Sequence, residues 1–238
     1  MKVNKKILLT FMLISSISFA QYNGSDWAFS LSYSYTTTAK LFPFPNSADL
    51  IERNLSEEVD NIYSYSFETR YKFTDVFAVG LILEYIEDTK KQDLIVSGPL
   101  GSVNLKVDEG FSIIPIELAA YYLLPFSTDD FKFHMGGGVG AYIGNHIRNI
   151  GSAKLKSVEQ DIAYGIHVNI GMDYMVFDYL SVRGEMRFRD PQFDTISKYD
   201  REEVTIDGRK FFLSQNTIDS KINMDGITFT LGLVFHTF

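Results

Sequence analysis

Alternation is the feature that most constrains this chain. In eight segments apolar residues recur at every second position, the period of a strand with two unlike faces. Trp27, Phe29, Leu31, Tyr33 and Tyr35 alternate with Ala28, Ser30, Ser32 and Ser34. Tyr63, Tyr65, Phe67, Tyr71 and Phe73 follow, then Phe77, Val79, Leu81, Leu83 and Tyr85. Further runs begin at Ile114, Phe131, Ile162, Leu180 and Ile227. Outside the first twenty residues no stretch has a convincing helical period.

The connections between these segments alternate in length. Residues 38–60, 87–110, 145–160 and 190–225 are long, whereas Thr74-Asp75, Pro125–Asp130 and Phe177–Tyr179 are short. That order predicts an all-β fold, an eight-stranded antiparallel up-and-down transmembrane β-barrel. It would have short periplasmic turns, long extracellular loops and both termini on the short-turn side. A soluble sandwich or barrel is the rival, since it too would bury one face of every strand. Aromatic residues at the segment ends favour the membrane, where such residues form girdles at the two interfaces. Trp27, Tyr71, Phe73, Phe77, Tyr122, Phe126, Phe131, Tyr174, Phe177 and Tyr179 stand on the short-turn side. Tyr35, Tyr63, Tyr85, Phe111, Tyr164 and Phe229 stand on the other.

Residues 1–20 read as a secretory signal peptide, with residues 21–238 as the barrel domain. Lys2, Lys5 and Lys6 are basic, Ile7–Phe19 is apolar but too short to span a bilayer, and Ser18 and Ala20 suit a cleavage site. The chain has no cysteine, which excludes disulfides, thiolate metal sites and a cysteine nucleophile. A net charge of −8 argues against nucleic acid as a partner. The location expected is the cell outer membrane, with outer-membrane lipid around the strands.

The segments Ile114-Pro115-Ile116-Glu117 with Tyr121-Tyr122, Gly136-Gly137-Gly138-Val139-Gly140 and Leu231-Gly232-Leu233, together with the terminal Phe238, carry a resemblance. The chain resembles the small outer-membrane β-barrel superfamily, the OmpA, OmpX and OmpW type of porin-like barrel. The resemblance implies that the assembly machinery reads the C-terminal strand through Phe238. Here Phe238 is out of phase with Leu231, Leu233 and Phe235, and His236 stands where an aromatic is common.

By parity, the face opposite the apolar one carries Arg70, Lys72, Lys132, Arg183, Arg187 and Arg189 against Glu68, Glu84, Glu117, Asp173 and Glu185. An eight-stranded barrel has room only for side chains, and buried charges must pair. We therefore expect a lumen ion-pair network of these residues, with His134 and His167 as further inward members. The network either holds the wall together or gates a narrow path for small solutes or ions.

Gly136, Gly138 and Ala141 match a dinucleotide pattern, but Tyr142 and Ile143 continue the strand where a helix would have to start. Lipid A enzymes occur among barrels of the resembled kind. A deacylase of that kind would show a His-x-Ser pair, and no histidine here is followed by serine two residues on. An acyltransferase would need an apolar interior. No cofactor, catalytic residue or metal cluster is expected.

The long connections are acidic around Asp49, Glu52, Glu57, Glu58 and Asp60. Those around Gly98-Pro99-Leu100-Gly101 and Ile206-Asp207-Gly208-Arg209 look like strands extending above the membrane, available to a surface protein. The expected function is therefore a non-enzymatic outer-membrane protein with a largely closed lumen and a structural or surface role. The alternative is a narrow porin-like channel.

Overall fold

The structure is a computed structural model that describes residues 26–98, 101–206 and 208–237, without the side chains of 94–98 and 101–103. The expected signal peptide, Asp207 of the expected turn and Phe238 lie outside the described residues. The chain runs β1 (Trp27–Phe42), α1 (Leu50–Arg53), β2 (Glu57–Lys72), β3 (Phe77–Gly98), β4 (Gly101–Leu123), β5 (Phe131–Ile150) and β6 (Ala153–Gln160). It continues β7 (Ile162–Phe177), β8 (Leu180–Arg189), β9 (Gln192–Tyr199), β10 (Glu203–Ile206), β11 (Arg209–Phe212), β12 (Ile218–Asn223) and β13 (Ile227–His236). The single helical turn, absent from the sequence expectation, is capped by Asp49, whose carboxylate accepts from the Ile51 N–H at 2.8 Å.

The expected eight-stranded up-and-down barrel, and with it the resemblance to the small eight-stranded outer-membrane barrels, is corrected. The described residues form thirteen strands, and eleven of them share one sheet in the order β12-β9-β6-β5-β4-β3-β2-β1-β13-β8-β7. β10 and β11 form a separate hairpin. The large sheet also branches: β1 pairs with β2, β12 and β13, and β5 pairs with β4, β6 and β7. All these pairings are antiparallel.

The extra strands lie within two connections, residues 145–160 and 190–225, and the reason they were not legible is a reversal of polarity. In β4 every odd position from Leu105 to Tyr121 faces inward and is buried. Toward the short turns the inward face carries Glu117 while Ile114, Ile116 and Leu118 point out. Toward the β3–β4 turn Leu105, Val107, Phe111 and Ile113 point in, and Asn104 and Lys106 point out. The parity never slips, but the apolar side changes. β9 and β12 belong wholly to the second regime: Phe193, Thr195, Ser197, Tyr199, Ser220 and Ile222 are buried.

Phe111, expected in an outer aromatic girdle, is instead fully buried. It belongs to an apolar cluster with Leu41, Ile62, Ile86, Ile113, Tyr142, Phe193, Ile222 and Met224. A second cluster of Leu105, Val107, Ile150, Leu155, Tyr199 and Val204 lies farther from the short turns. Outward, the opposite end of the sheet shows water-averse surface, with Leu31 62%, Leu118 57%, Ile166 74% and Leu231 65% exposed. Hydroxyl pairs tie β1 to β13 across the inner face, Ser34 to Thr230 and Thr36 to Thr228, each at 2.8 Å.

Candidate functional site

The inner face of the short-turn half is a network of buried charges. β8 supplies four of them on successive pleats, Arg183, Glu185, Arg187 and Arg189, because period two puts them on one side. Arg183 holds Asp173 on neighbouring β7 with two bonds, Nε to Oδ1 at 2.6 Å and Nη2 to Oδ2 at 2.8 Å. Its Nη1 donates to Glu68 on β2 at 2.5 Å. Arg70 donates to Glu68 from Nε and Nη2 at 3.1 and 3.0 Å and lies 3.4 Å over the Tyr121 ring. The Tyr121 hydroxyl donates to the same carboxylate at 2.6 Å.

One step farther in, Glu185 accepts from Arg187 Nη2 at 2.9 Å, with Arg70 Nη2 at 3.7 Å and His134 Nε2 at 3.4 Å. Beyond it Arg189 forks onto Glu84 at 2.7 and 3.0 Å, and Ser64 donates to Glu84 at 2.6 Å. Glu117 accepts from Arg187 at 3.1 Å, from Arg189 at 3.4 Å and from the Tyr142 hydroxyl at 2.7 Å. His167 Nδ1 stands 3.9 Å from the Glu117 carboxylate. Glycines make the close approach possible: a Cβ on Gly80 would lie 2.7 Å from Glu68 Oε1, and one on Gly140 2.8 Å from the Tyr142 hydroxyl.

The structure thus brings together Glu68, Arg70, Glu84, Glu117, His134, His167, Asp173, Arg183, Glu185, Arg187 and Arg189. It does not bring Lys72 and Lys132 into the group. Both are half exposed, and among the described residues their ion pairs are with turn acids, Asp75 at 3.8 Å and Asp129 at 3.9 Å. They stand at the last inward position before a turn, where the chain meets solvent. With Arg70, Asp173, Arg183 and His236 they line a cavity of about 270 Å³ at the short-turn end.

A second polar group was not anticipated. Glu109, His146 and Ser220 are buried, on β4, β5 and β12. Glu109 accepts from Arg148 Nε at 2.5 Å and meets His146 Nε2 at 2.5 Å, and His146 Nδ1 meets the Ser220 hydroxyl at 2.8 Å. Burial pushes the Glu109 carboxyl up, but the bonds to His146 and Arg148 outweigh it and hold the group below its usual range. These residue types also serve nucleophilic catalysis. Here the Ser220 side chain is wholly buried and Arg148 shares the carboxylate, so the chain of bonds ties three strands together. The signal was in the sequence as parity: Glu109 lies four pleats from Glu117 on the same face, in a segment read as loop.

Among the described residues no group of three or more His, Asp or Glu is placed to hold a metal ion. What the structure shows is an ordered β-sheet protein with many buried salt bridges.

No family model matches the chain, and no curated protein matches it. Solved structures do. The outer membrane protein OprG from Pseudomonas aeruginosa is similar with a TM-score of 0.58 at 14% identity, over 91% of this chain and 97% of that one. Neisserial surface protein A gives 0.48 at 11%, over 91% and 100%, and Ail, the attachment invasion locus protein of Yersinia pestis, 0.46 at 9%, over 90% and 100%. At such identity the first of these likenesses establishes fold alone.

Proposed function

We propose that this chain is an integral protein of the outer membrane, carried there by a signal peptide at residues 1–20, with a sealed interior and a structural or surface role. One observation carries the reading. The interior is obstructed twice, first by a network of nine buried carboxylates and guanidiniums and then by the apolar layer of Leu41, Ile62, Phe111, Tyr142, Phe193 and Met224. A path for water or ions needs polar walls and open bore, and both layers oppose it.

The membrane setting is supported by the outward surface of the short-turn half, where leucine, isoleucine and valine side chains are exposed between two sets of aromatics. A soluble protein rarely leaves so wide an apolar surface uncovered. The fold likeness to an outer membrane protein agrees with this setting. Lipid would be the partner of that surface. The assembly machinery would meet the end of β13 and Phe238. The strands beyond the aromatic rim, polar outside and apolar inside, would face an unidentified surface partner.

Conductance of the pure protein in planar bilayers tests the sealed interior. The expected result is little or no steady current, and a large steady current would refute it. The cavity at the short-turn end favours a second reading, a narrow gated channel in which that cavity is the vestibule. It requires the Arg70–Glu68–Arg183–Asp173 group to part. In that case Glu117→Ala or Arg187→Ala would open small, pH-dependent currents.

A further inference from the structure

The buried charges of the network do not cancel. Glu68, Glu84, Glu117, Asp173 and Glu185 are five acids, and Arg70, Arg183, Arg187 and Arg189 are four cations, all less than a tenth exposed. Lys72 and Lys132 are half exposed and turned to Asp75 and Asp129, so they do not supply the missing charge. Farther along, Glu109 has its own partner in Arg148. One negative charge in excess remains among these buried groups, where an unpaired ion costs several kcal/mol.

Two imidazoles lie against this excess. His134 Nε2 is 3.4 Å from Glu185 Oε2, and His167 Nδ1 is 3.9 Å from Glu117 Oε2. Around them is the densest group of buried polar atoms without a hydrogen-bond partner among the described residues: His134 Nδ1, both nitrogens of His167, both amide atoms of Asn169 and Arg187 Nε. The pairings place them side by side, Gly138 with His167, Gly136 with Asn169, and Asn169 with Arg187. Glycine on the β5 side lets these groups approach closely: a Cβ on Gly136 would lie 2.5 Å from Asn169 Oδ1.

We propose that the interior binds one proton at neutral pH, held within the His134–Glu185 and His167–Glu117 pairs. The groups facing His134 are Glu185 and Arg183 from β8, Asp173 from β7, Arg70 from β2 and the ring edge of Tyr121 from β4. Those facing His167 are Glu117 from β4 and Glu185, Arg187 and Arg189 from β8, with Tyr142 of β5 bonded to Glu117. Burial and the guanidiniums oppose charge on either ring. The carboxylates favour it, and the proposal rests on the excess of five buried acids over four buried arginines. The proton enters from solvent by way of the short-turn cavity, which reaches Arg70, Asp173 and Arg183.

The full chain, folded in lipid bilayers, is unfolded by urea between pH 6.5 and 9. An unfolded histidine loses its proton above about 6.5, so the folded state should hold one proton more, and stability should fall as pH rises. The unfolding constant should increase by about tenfold per pH unit until the folded state releases the proton. Glu117→Gln equalises acids and arginines and should abolish that slope, and Glu185→Gln should do the same if the first variant does not fold. In nitrogen-15 spectra of histidine-labelled protein at pH 7.5, the wild type should show one charged ring and the variant none. Equal slopes in wild type and variants, or neutral rings in the wild type at pH 7.5, would overturn the proposal. So would stability that follows sodium against choline at fixed pH, since the balancing charge would then be an alkali ion.

Discussion

Arg183→Met tests whether the buried pairs hold the fold. Asp173 has Arg183 as its ion-pair partner, at 2.6 and 2.8 Å, whereas Glu68 keeps Arg70 and Tyr121 when Arg183 is gone. The substitution therefore strands one carboxylate. Methionine retains much of the apolar stem, so lost packing contributes little. Removing one member of a buried pair costs about 3–5 kcal/mol. Asp173 borders the short-turn cavity, so water can reach it and the lower end of that range is expected. Asp173→Asn in the same chain removes the stranded charge, and the double variant should recover about 1–3 kcal/mol relative to the sum of the singles. Lys132→Ala, at the same depth but half exposed, should change stability by less than about 0.5 kcal/mol. Urea unfolding in vesicles reads the wild type and all four variants. Additive singles, or an Arg183→Met cost no greater than that of Lys132→Ala, would refute the pairing argument.

Leu81 points outward from β3, and Leu81→Arg should destabilise by about 2–4 kcal/mol in bilayers if it faces lipid at mid-depth, well beyond Leu81→Ala; equal small effects would reject the lipid-facing assignment. Gly80→Ala should cost about 1–3 kcal/mol, because the new methyl would stand 2.7 Å from Glu68 Oε1 and 2.9 Å from Tyr121; an unchanged urea midpoint would show that both side chains move aside freely. Glu109 is held below its usual range by His146 and Arg148, so the stability it contributes is present above its ordinary value of about 4.3 and lost as pH falls through its lower folded value. The gap in urea midpoint between wild type and Glu109→Gln should therefore narrow from pH 6 to pH 3, and a constant gap would contradict the linkage.

Much of the inner face was legible because parity is a local property. The pleat sends side chains to alternate sides whatever the partner strand. Thus Arg183, Glu185, Arg187 and Arg189 share a face in any antiparallel sheet, and Ile114, Ile116 and Leu118 share the other. Lys72 and Lys132 show the limit of that rule. They have the right parity but stand where the strands end, and depth is not encoded in parity. Glu109, His146 and Ser220 show a second limit. They lie where polarity reverses, so hydrophobic contrast alone places them in loops.

By itself, then, the sequence determined that the chain is built of antiparallel strands and which side chains share a face, because backbone geometry imposes a period of two on neighbours in the chain. Tertiary structure alone decided how many strands join the sheet and which charges meet. β6, β9 and β12 are too short and too polar outside to declare themselves, and they become strands because the ends of β1 and β5 pair with β12 and β6, and β9 pairs with both of those. Arg183 meets Glu68 across 115 residues of sequence. That contact depends on the registers of the strands between them, set by backbone hydrogen bonds and side-chain packing over the whole sheet, and no local pattern contains it.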